Sequence, residues 1–170
     1  MEFEGYALWL VPEGRLHDRL RRMISSLAKK YNSPVFEPHL SLSSLLKGRE
    51  KDLEKKNMAL ASSVKPFEIT LTTAGHLGEY FRCVFFRAEG EGLCDANARY
   101  REIFGRQEDE FIPHLSLMYG NFPPEVREEI AGKIGRLGES FHARSVHLYR
   151  IGSAEPKDWK RIREFSFHST

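Results

Sequence analysis

The first half of the chain alternates between two spacings of apolar residues, which predict alternating strands and helices. Residues 3–11 form an apolar run that is typical of a buried strand. Residues 13–31 place apolar side chains every three or four positions, with arginines and lysines mainly on the other side, which predicts an amphipathic helix. A second, highly charged helix is predicted at 49–64. It is followed by a half-buried strand in which apolar and polar residues alternate from 67 to 72.

Glycine and proline mark most element ends in the second half of the chain. A helix predicted at 122–137 begins at a Pro-Pro pair and ends at a glycine. An acidic loop at 107–110 precedes the second copy of a repeated motif. The other predicted elements are a strand at 80–87 after a turn at 74–78, a helix at 92–105, and two final strands at 141–151 and 159–167.

The five-residue sequence Pro-His-Leu-Ser-Leu occurs at 38–42 and again at 113–117. Phe36 and Phe111 stand at the same offset before the two copies. Leu-Ser-Leu alternates apolar and polar residues, which predicts that each copy is a strand. The repeat extends beyond the pentapeptide, because each copy is preceded by a helix and followed by a helix and a pair of strands.

Each copy places one histidine and one serine on the same face of its strand. Side chains two positions apart in a strand share a face, so His39 lies beside Ser41 and His114 beside Ser116. A single His-x-Ser pair is usually a satisfied polar pair at a sheet surface. Repeated core packing would not require the same two polar residues twice, so the duplication favours a functional site built from two half-sites.

These patterns predict an α+β fold. We expect residues 1–170 to form a single domain of two lobes, related by an approximate two-fold axis. Each lobe is a βαβαββ-type unit, with antiparallel sheets around a central cleft and helices on the outside. The axis would bring the two motif strands together on the floor of the cleft. No linker rich in glycine or serine separates the halves.

The composition argues against some classes of function without identifying one. The chain has 26 Lys and Arg residues against 24 acidic residues, a formal net charge of +2, which argues against a surface that coats nucleic acid. One local basic pocket for a phosphate remains compatible with this charge. No apolar run reaches the length of a membrane span, and the N-terminus lacks the basic start of a signal peptide. We expect a cytoplasmic monomer with no membrane partner, in which Cys83 and Cys94 are reduced.

Two histidines and two serines suit acid–base chemistry on a phosphate better than other kinds of site. A serine-hydrolase triad needs a carboxylate that orients the base, and no acid is placed as a third member. The chain has no His-x-His, His-Glu-x-x-His or Cys-x-x-Cys sequence, so no metal is expected. Paired imidazoles can act as general base and general acid near neutral pH, and hydroxyls can hold the non-bridging oxygens of a phosphate.

Paired His-x-Ser motifs in a two-lobed chain resemble those of the 2H phosphoesterase superfamily. The strings 113–119 and 81–85, with Trp159 in the last predicted strand, are similar to its plant and fungal cyclic phosphodiesterase branch. The likeness covers essentially the whole chain, with Ser41 where many relatives have threonine. It implies metal-independent, cofactor-free hydrolysis of ADP-ribose 1″,2″-cyclic phosphate, a by-product of tRNA splicing, to ADP-ribose 1″-phosphate. Nucleoside 2′,3′-cyclic phosphates, opened to 2′-phosphates, would be second substrates.

The resemblance also implies a role for each motif residue. His39 and His114 would be the acid–base pair, with His114 activating water and His39 protonating the leaving oxygen. The symmetric sequence itself does not distinguish these two roles. Ser41 and Ser116 would bind the phosphate.

Three aromatic residues are weaker candidates for contact with the substrate. Tyr119 follows the second motif where the family places a substrate-contacting tyrosine, but an ordinary aromatic residue at a strand end explains it equally well. Phe81 and Trp159 could stack on a base or a sugar. Core packing explains both of them better.

Two other functions are compatible with the sequence. Enzymes of the bacterial and archaeal branch, RNA 2′,3′-cyclic phosphodiesterases or 2′-5′ RNA ligases, act on tRNA ends, and a basic channel leading to the cleft would support that function. A non-catalytic module that binds nucleotides or RNA ends would not need both an acid and a base. The implied partners are a small cyclic phosphate nucleotide and, in these two alternatives, RNA 3′ ends.

Overall fold

The computed structural model describes residues 3–107 and 110–168. Glu108 and Asp109 of the predicted acidic loop lie outside the described residues, as do Met1 and Glu2. The helices within the described ranges are α1 (Gly14–Tyr31), α2 (Glu50–Ser63), α3 (Glu91–Phe104) and α4 (Pro124–Ile134). The strands are β1 (Gly5–Leu10), β2 (Leu40–Ser41), β3 (Phe67–His76), β4 (Val84–Glu89), β5 (His114–Met118), β6 (Arg136–Ala143), β7 (Ser145–Ile151) and β8 (Trp159–Ser166).

These strands form one antiparallel sheet in the order β6-β3-β4-β5-β2-β1-β7-β8. The predicted α+β class and antiparallel pairing are confirmed. The sheet is continuous across both motifs, whereas the sequence suggested separate sheets around the cleft. The reason is that β2 and β5, the two motif strands, pair directly with each other in the middle of the sheet.

The two halves of the sheet are built alike but exchange their outer strands. β1-α1-β2 and β4-α3-β5 are equivalent units, so β4 opens the second unit although the sequence order grouped it with the first. β3 follows α2 but pairs with β4, and β7, which follows β6 in the second half of the chain, pairs with β1. Each motif strand is therefore supported by strands from both halves of the chain.

Several element ends differ from the predicted ones. β2 covers only Leu40–Ser41 of the first motif, and β3 runs to His76, into the turn predicted at 74–78. α4 stops at Ile134, and the following segment, predicted as its last turn, belongs to β6. Gly135 makes this stop possible, because its φ of 66° lies in the left-handed region that favours glycine. β6 and β7 are separate strands divided at Arg144, where one strand was predicted. Residues Tyr80–Arg82 form a short 3₁₀ turn, and β4 begins only at Val84.

The inner face of the sheet carries the predicted leucines. Leu40, Leu42, Leu115 and Leu117 are at most 1% exposed, and they join a core to which all four helices contribute. The opposite face of the central strands carries the histidines and serines. No helix in the described part of the chain combines the length and apolar character needed to cross a membrane.

Candidate active site

Pairing of β2 with β5 brings the two motifs into register. Leu40 lies opposite Leu115, so extending this antiparallel register by one residue each way places His39 opposite Ser116 and Ser41 opposite His114. Directly opposite residues share a face of the sheet, with Cβ atoms about 5 Å apart. The four polar side chains therefore form one compact group around an approximate two-fold axis.

This group lines a cavity of about 380 Å³. No lysine, arginine, aspartate or glutamate from the described residues contributes to its lining. The cavity combines imidazoles and hydroxyls with aromatic and aliphatic walls. Every site residue predicted from the sequence lines it, namely His39, His114, Ser41, Ser116, Tyr119, Phe81 and Trp159.

Both histidine rings are oriented by the same kind of hydrogen bond to a backbone carbonyl two residues earlier. Nδ1 of His39 lies 2.6 Å from the carbonyl oxygen of Glu37, and Nδ1 of His114 lies 2.8 Å from that of Ile112. A carbonyl oxygen only accepts, so each Nδ1 is the protonated nitrogen and donates, which leaves Nε2 for the substrate. The proline of each motif favours this geometry, because it restricts the residue before it to extended backbone. That preceding residue is the one whose carbonyl accepts.

Burial keeps both imidazoles neutral at pH 7. It lowers the pKa of His39 to about 4; the hydrogen bond to Glu37 opposes this shift, and the nearby charge of His114 adds to it. Burial also lowers the pKa of His114, with the bond to Ile112 acting in the opposite direction. His39 is only 6% exposed, whereas His114 is partly open to solvent. Each ring can therefore accept a proton at Nε2 in the free protein.

Trp9 also lines the cavity, although no sequence pattern singled it out. Its ring stacks on that of His39, with centroids 3.6 Å apart and an interplanar angle of 14°. The ring of Tyr149 stacks on the same indole, with centroids 4.0 Å apart. Trp9 lies opposite Ser41 in the pairing of β1 with β2, so both side chains face the cavity. The sequence showed only an aromatic residue in an apolar run. Its role depends on a strand register that no local pattern encodes.

The two serines differ in their hydrogen bonds. Ser116 donates its hydroxyl to the carbonyl oxygen of Phe81 at 2.7 Å. Ser41 Oγ has no hydrogen bond to the described part of the chain and lines the cavity. The Ser41 hydroxyl is therefore free to donate to a ligand oxygen, whereas that of Ser116 must first leave Phe81.

The three aromatic candidates are both core contacts and cavity walls. Tyr119 is 2% exposed and stacks on Phe36 at 3.8 Å. Burial raises its pKa far above the usual range, so its hydroxyl stays neutral. Phe81 packs edge-on against Tyr119, and Trp159 donates Nε1–H to the carbonyl oxygen of Ser153 at 2.8 Å. These three side chains therefore pack against their neighbours and also face the cavity, and their contact with a substrate stays a prediction.

The described residues offer no arrangement of side chains that suits a metal ion. No group of three or more His, Cys, Asp or Glu side chains there could hold a metal ion. Cys83 is buried and Cys94 exposed, and both are free thiols, as predicted.

Known proteins are similar to this chain in sequence and in fold over most of its length. The protein is similar to the "Cyclic phosphodiesterase" of Arabidopsis thaliana, with 21% identity over 148 residues that span 86% of this chain and 82% of the relative. Its fold is similar to that of TT0787 of Thermus thermophilus, with a TM-score of 0.72 and 19% identity, covering 96% of this chain and 98% of the other.

The fold is also similar to that of E. coli LigT complexed with NADP+, with a TM-score of 0.68 and 16% identity over 99% of this chain and 100% of the other. LigT complexed with 3′-AMP matches at a TM-score of 0.65 and 17% identity, with the same coverage. The sequence profile of the family described as "Cyclic phosphodiesterase-like protein" matches residues 3–167, which confirms the resemblance seen in the motifs. The chain belongs to the cyclic phosphodiesterase-like protein family.

Proposed function

We propose that this protein is a metal-independent cyclic phosphodiesterase that works by acid–base catalysis with His39 and His114. Its substrates are ADP-ribose 1″,2″-cyclic phosphate, opened to ADP-ribose 1″-phosphate, and nucleoside 2′,3′-cyclic phosphates, opened to 2′-phosphates. One observation carries the proposal. Each of the two imidazoles has Nδ1 tied to a carbonyl, and both line one cavity beside a serine of the opposite motif.

The reaction is an in-line displacement at phosphorus. One neutral imidazole takes a proton from water at Nε2 while the water oxygen bonds to phosphorus. The bond from phosphorus to one ring oxygen breaks on the opposite side, and the second imidazole, in its protonated form, gives that oxygen a proton. The Ser41 hydroxyl donates to a non-bridging oxygen, where negative charge increases in the transition state.

The imidazole that acts as the general acid becomes protonated when the substrate binds, because the substrate is an anion. Both rings are neutral in the free protein, and a phosphate held beside them raises the pKa of the nearer imidazole. The family resemblance assigns the base to His114 and the acid to His39. Solvent exposure favours the reverse order, since His114 is less buried and easier to protonate. The pH dependence of a variant that keeps only one of the two histidines decides between the two orders.

A small nucleotide suits the cavity better than an RNA chain does. Aromatic walls can stack on a base or sugar, whereas the lining from the described residues offers no cation to follow an RNA backbone. The complexes of E. coli LigT with NADP+ and 3′-AMP support small nucleotides as a ligand class. A cytoplasmic site of action remains our prediction.

The test is an assay of the purified protein on three substrates, with and without EDTA. We expect hydrolysis of ADP-ribose 1″,2″-cyclic phosphate and 2′,3′-cyclic AMP, unaffected by EDTA. Failure to open any cyclic phosphate, despite binding, would make the protein a binding module. Loss of activity in EDTA that zinc restores would contradict metal independence. A higher kcat/KM on an RNA with a 2′,3′-cyclic phosphate end would favour the RNA phosphodiesterase alternative.

A further inference from the structure

A second cavity, of about 290 Å³, adjoins the first. Trp9 and Trp159 line both cavities, and they are the two tryptophans of the chain. Trp159 is held in place by its hydrogen bond to the carbonyl oxygen of Ser153. The two cavities are therefore neighbours that share Trp9 and Trp159 as walls.

The second cavity supplies the cations that the first lacks. Arg21, on α1, and Lys157, in the turn before β8, contribute to its lining. Its other walls include Phe36 and Tyr149, so aromatic faces stand beside positive charges. This combination of stacking surfaces and cations suits a phosphorylated nucleotide.

The charges around the second cavity leave its cations available to a ligand. Arg21 is exposed and has no ion pair with the described residues. Lys157 lies 2.9 Å from Glu155, but both side chains are more than half exposed, so this pair is weak and easily replaced. One carboxylate, that of Glu37, also lines the cavity, and its Oε1 lies 2.5 Å from Nε2 of His17.

We propose that the second cavity binds a distal phosphoryl group of the substrate, with Arg21 and Lys157 as its contacts. The inference rests on the proposed function and adds a preference among its substrates, for nucleotides that carry a pyrophosphate beyond the cyclic phosphate. The terminal cyclic phosphate lies over the motif strands, and the pyrophosphate passes Trp159 to reach the two cations. ADP-ribose 1″,2″-cyclic phosphate has both groups, whereas 2′,3′-cyclic AMP has only the first.

Steady-state kinetics on these two compounds test the subsite. In Arg21→Ala we expect KM for ADP-ribose 1″,2″-cyclic phosphate to rise about tenfold, as for one lost charge-assisted hydrogen bond, with kcat little changed. KM for 2′,3′-cyclic AMP should stay constant. Lys157→Ala should act in the same direction, and Arg21→Lys should recover part of the loss. Equal effects on the two compounds, or none on either, would overturn the inference.

Arg22→Ala is the matched control. Arg22 is the next residue of α1 and equally a surface arginine, but it lines other cavities. It should leave both KM values unchanged. An effect equal to that of Arg21→Ala would show general attraction of anions by α1 and would also overturn the subsite.

Titration calorimetry with ADP-ribose separates this inference from the proposed function. ADP-ribose has the pyrophosphate but no cyclic phosphate, so its binding does not depend on catalysis. We expect its Kd to rise about tenfold in Arg21→Ala and not in Arg22→Ala. If the wild-type protein hydrolyses neither cyclic phosphate, the proposed function fails, and the calorimetry alone decides on the subsite. No binding of ADP-ribose, or an unchanged Kd in Arg21→Ala, would overturn the subsite.

Discussion

His39 and His114 share a hydrogen-bonding design but differ in their surroundings. Each donates Nδ1–H to the carbonyl of the residue before the motif proline. His39 is nearly enclosed, with Trp9 stacked on its ring, whereas His114 is partly open. The sequence repeat thus supplies two equivalent groups, and their burial makes them chemically unequal.

Removing either imidazole should lower kcat without unfolding the protein. We expect His39→Ala and His114→Ala to lose roughly 10²–10⁴-fold in rate, the usual contribution of a positioned acid or base. His142→Ala is the control, because His142 is 57% exposed on β6 and outside the cavity. Normal turnover by a folded His39→Ala or His114→Ala protein would exclude that histidine from the mechanism.

The pH dependence of kcat/KM should identify which histidine is the base. The wild-type profile should be bell-shaped, with its acid limb below neutrality because burial lowers the pKa of both rings. The residual activity of His39→Ala should keep only the limb of His114. A rate that rises with pH would make His114 the base, and a rate that falls would make it the acid. A wild-type profile that changes monotonically would contradict an acid–base pair.

The two motif serines should contribute unequally. Ser41→Ala should lower kcat by roughly 10²-fold, as expected for one lost donor to a developing oxyanion, because this hydroxyl is free to donate. Ser116→Ala should lower kcat less, since the Ser116 hydroxyl already donates to the carbonyl of Phe81. Ser41→Thr keeps the hydroxyl and should retain most activity. Equal losses in the two alanine variants would show that Ser116 leaves Phe81 when the substrate binds.

Among the secondary-structure elements, α4 shows how one backbone position overrides an apolar pattern. The helical spacing of apolar residues continues to Leu137, yet the helix stops at Ile134. Gly135 takes φ 66° and ψ −129°, a conformation that L side chains rarely adopt, and its N–H still bonds to the carbonyl of Ala131. The chain then turns directly into β6.

Two alanine substitutions three residues apart should have opposite effects on stability. Gly135→Ala should lower the free energy of unfolding by about 1–3 kcal/mol, because alanine is strained at this φ and ψ. Gly132→Ala, in the interior of α4 with open space around its Cα, should raise it by about 0.5–1 kcal/mol. Urea denaturation of both variants measures these changes. Similar effects of the two would mean that the helix end does not depend on Gly135.

The stability of the entire fold should depend on pH through its buried histidines. The pKa of His39 is about 4 in the folded protein against 6.5 as its ordinary value. Between these values the unfolded chain binds a proton that the folded protein does not, so stability falls as the pH decreases through this window. Burial also lowers the pKa of His147, which acts in the same direction.

Replacing His39 should flatten this dependence. We expect the titration of His39 alone to lower the free energy of unfolding by up to about 3 kcal/mol between pH 7 and pH 4. In His39→Gln, which cannot titrate, the decrease over the same range should be smaller by a similar amount. Chemical denaturation at both pH values gives the comparison. An unchanged pH dependence in the variant would mean that His39 titrates normally in the folded protein.

Local patterns were sufficient to predict β5 and the faces of both motifs, although β2 is shorter than predicted, at Leu40–Ser41. A period of two along a strand is a property of neighbouring residues, so the positions of His39 and Ser41, and the burial of Leu40 and Leu42, follow from the sequence alone. The duplication itself indicated a shared site. The α+β class follows in the same way from the alternation of the two apolar periods.

Only the tertiary structure decided how the segments meet. The register that sets Leu40 opposite Leu115, the exchange of outer strands and the stack of Trp9 on His39 all join residues far apart in the chain. Nothing within a segment specifies its partner, because pairing depends on packing and hydrogen bonds with distant strands. The sequence alone determined which chemical groups are present and which faces they occupy. Folding determined their distances, their burial and therefore their pKa values.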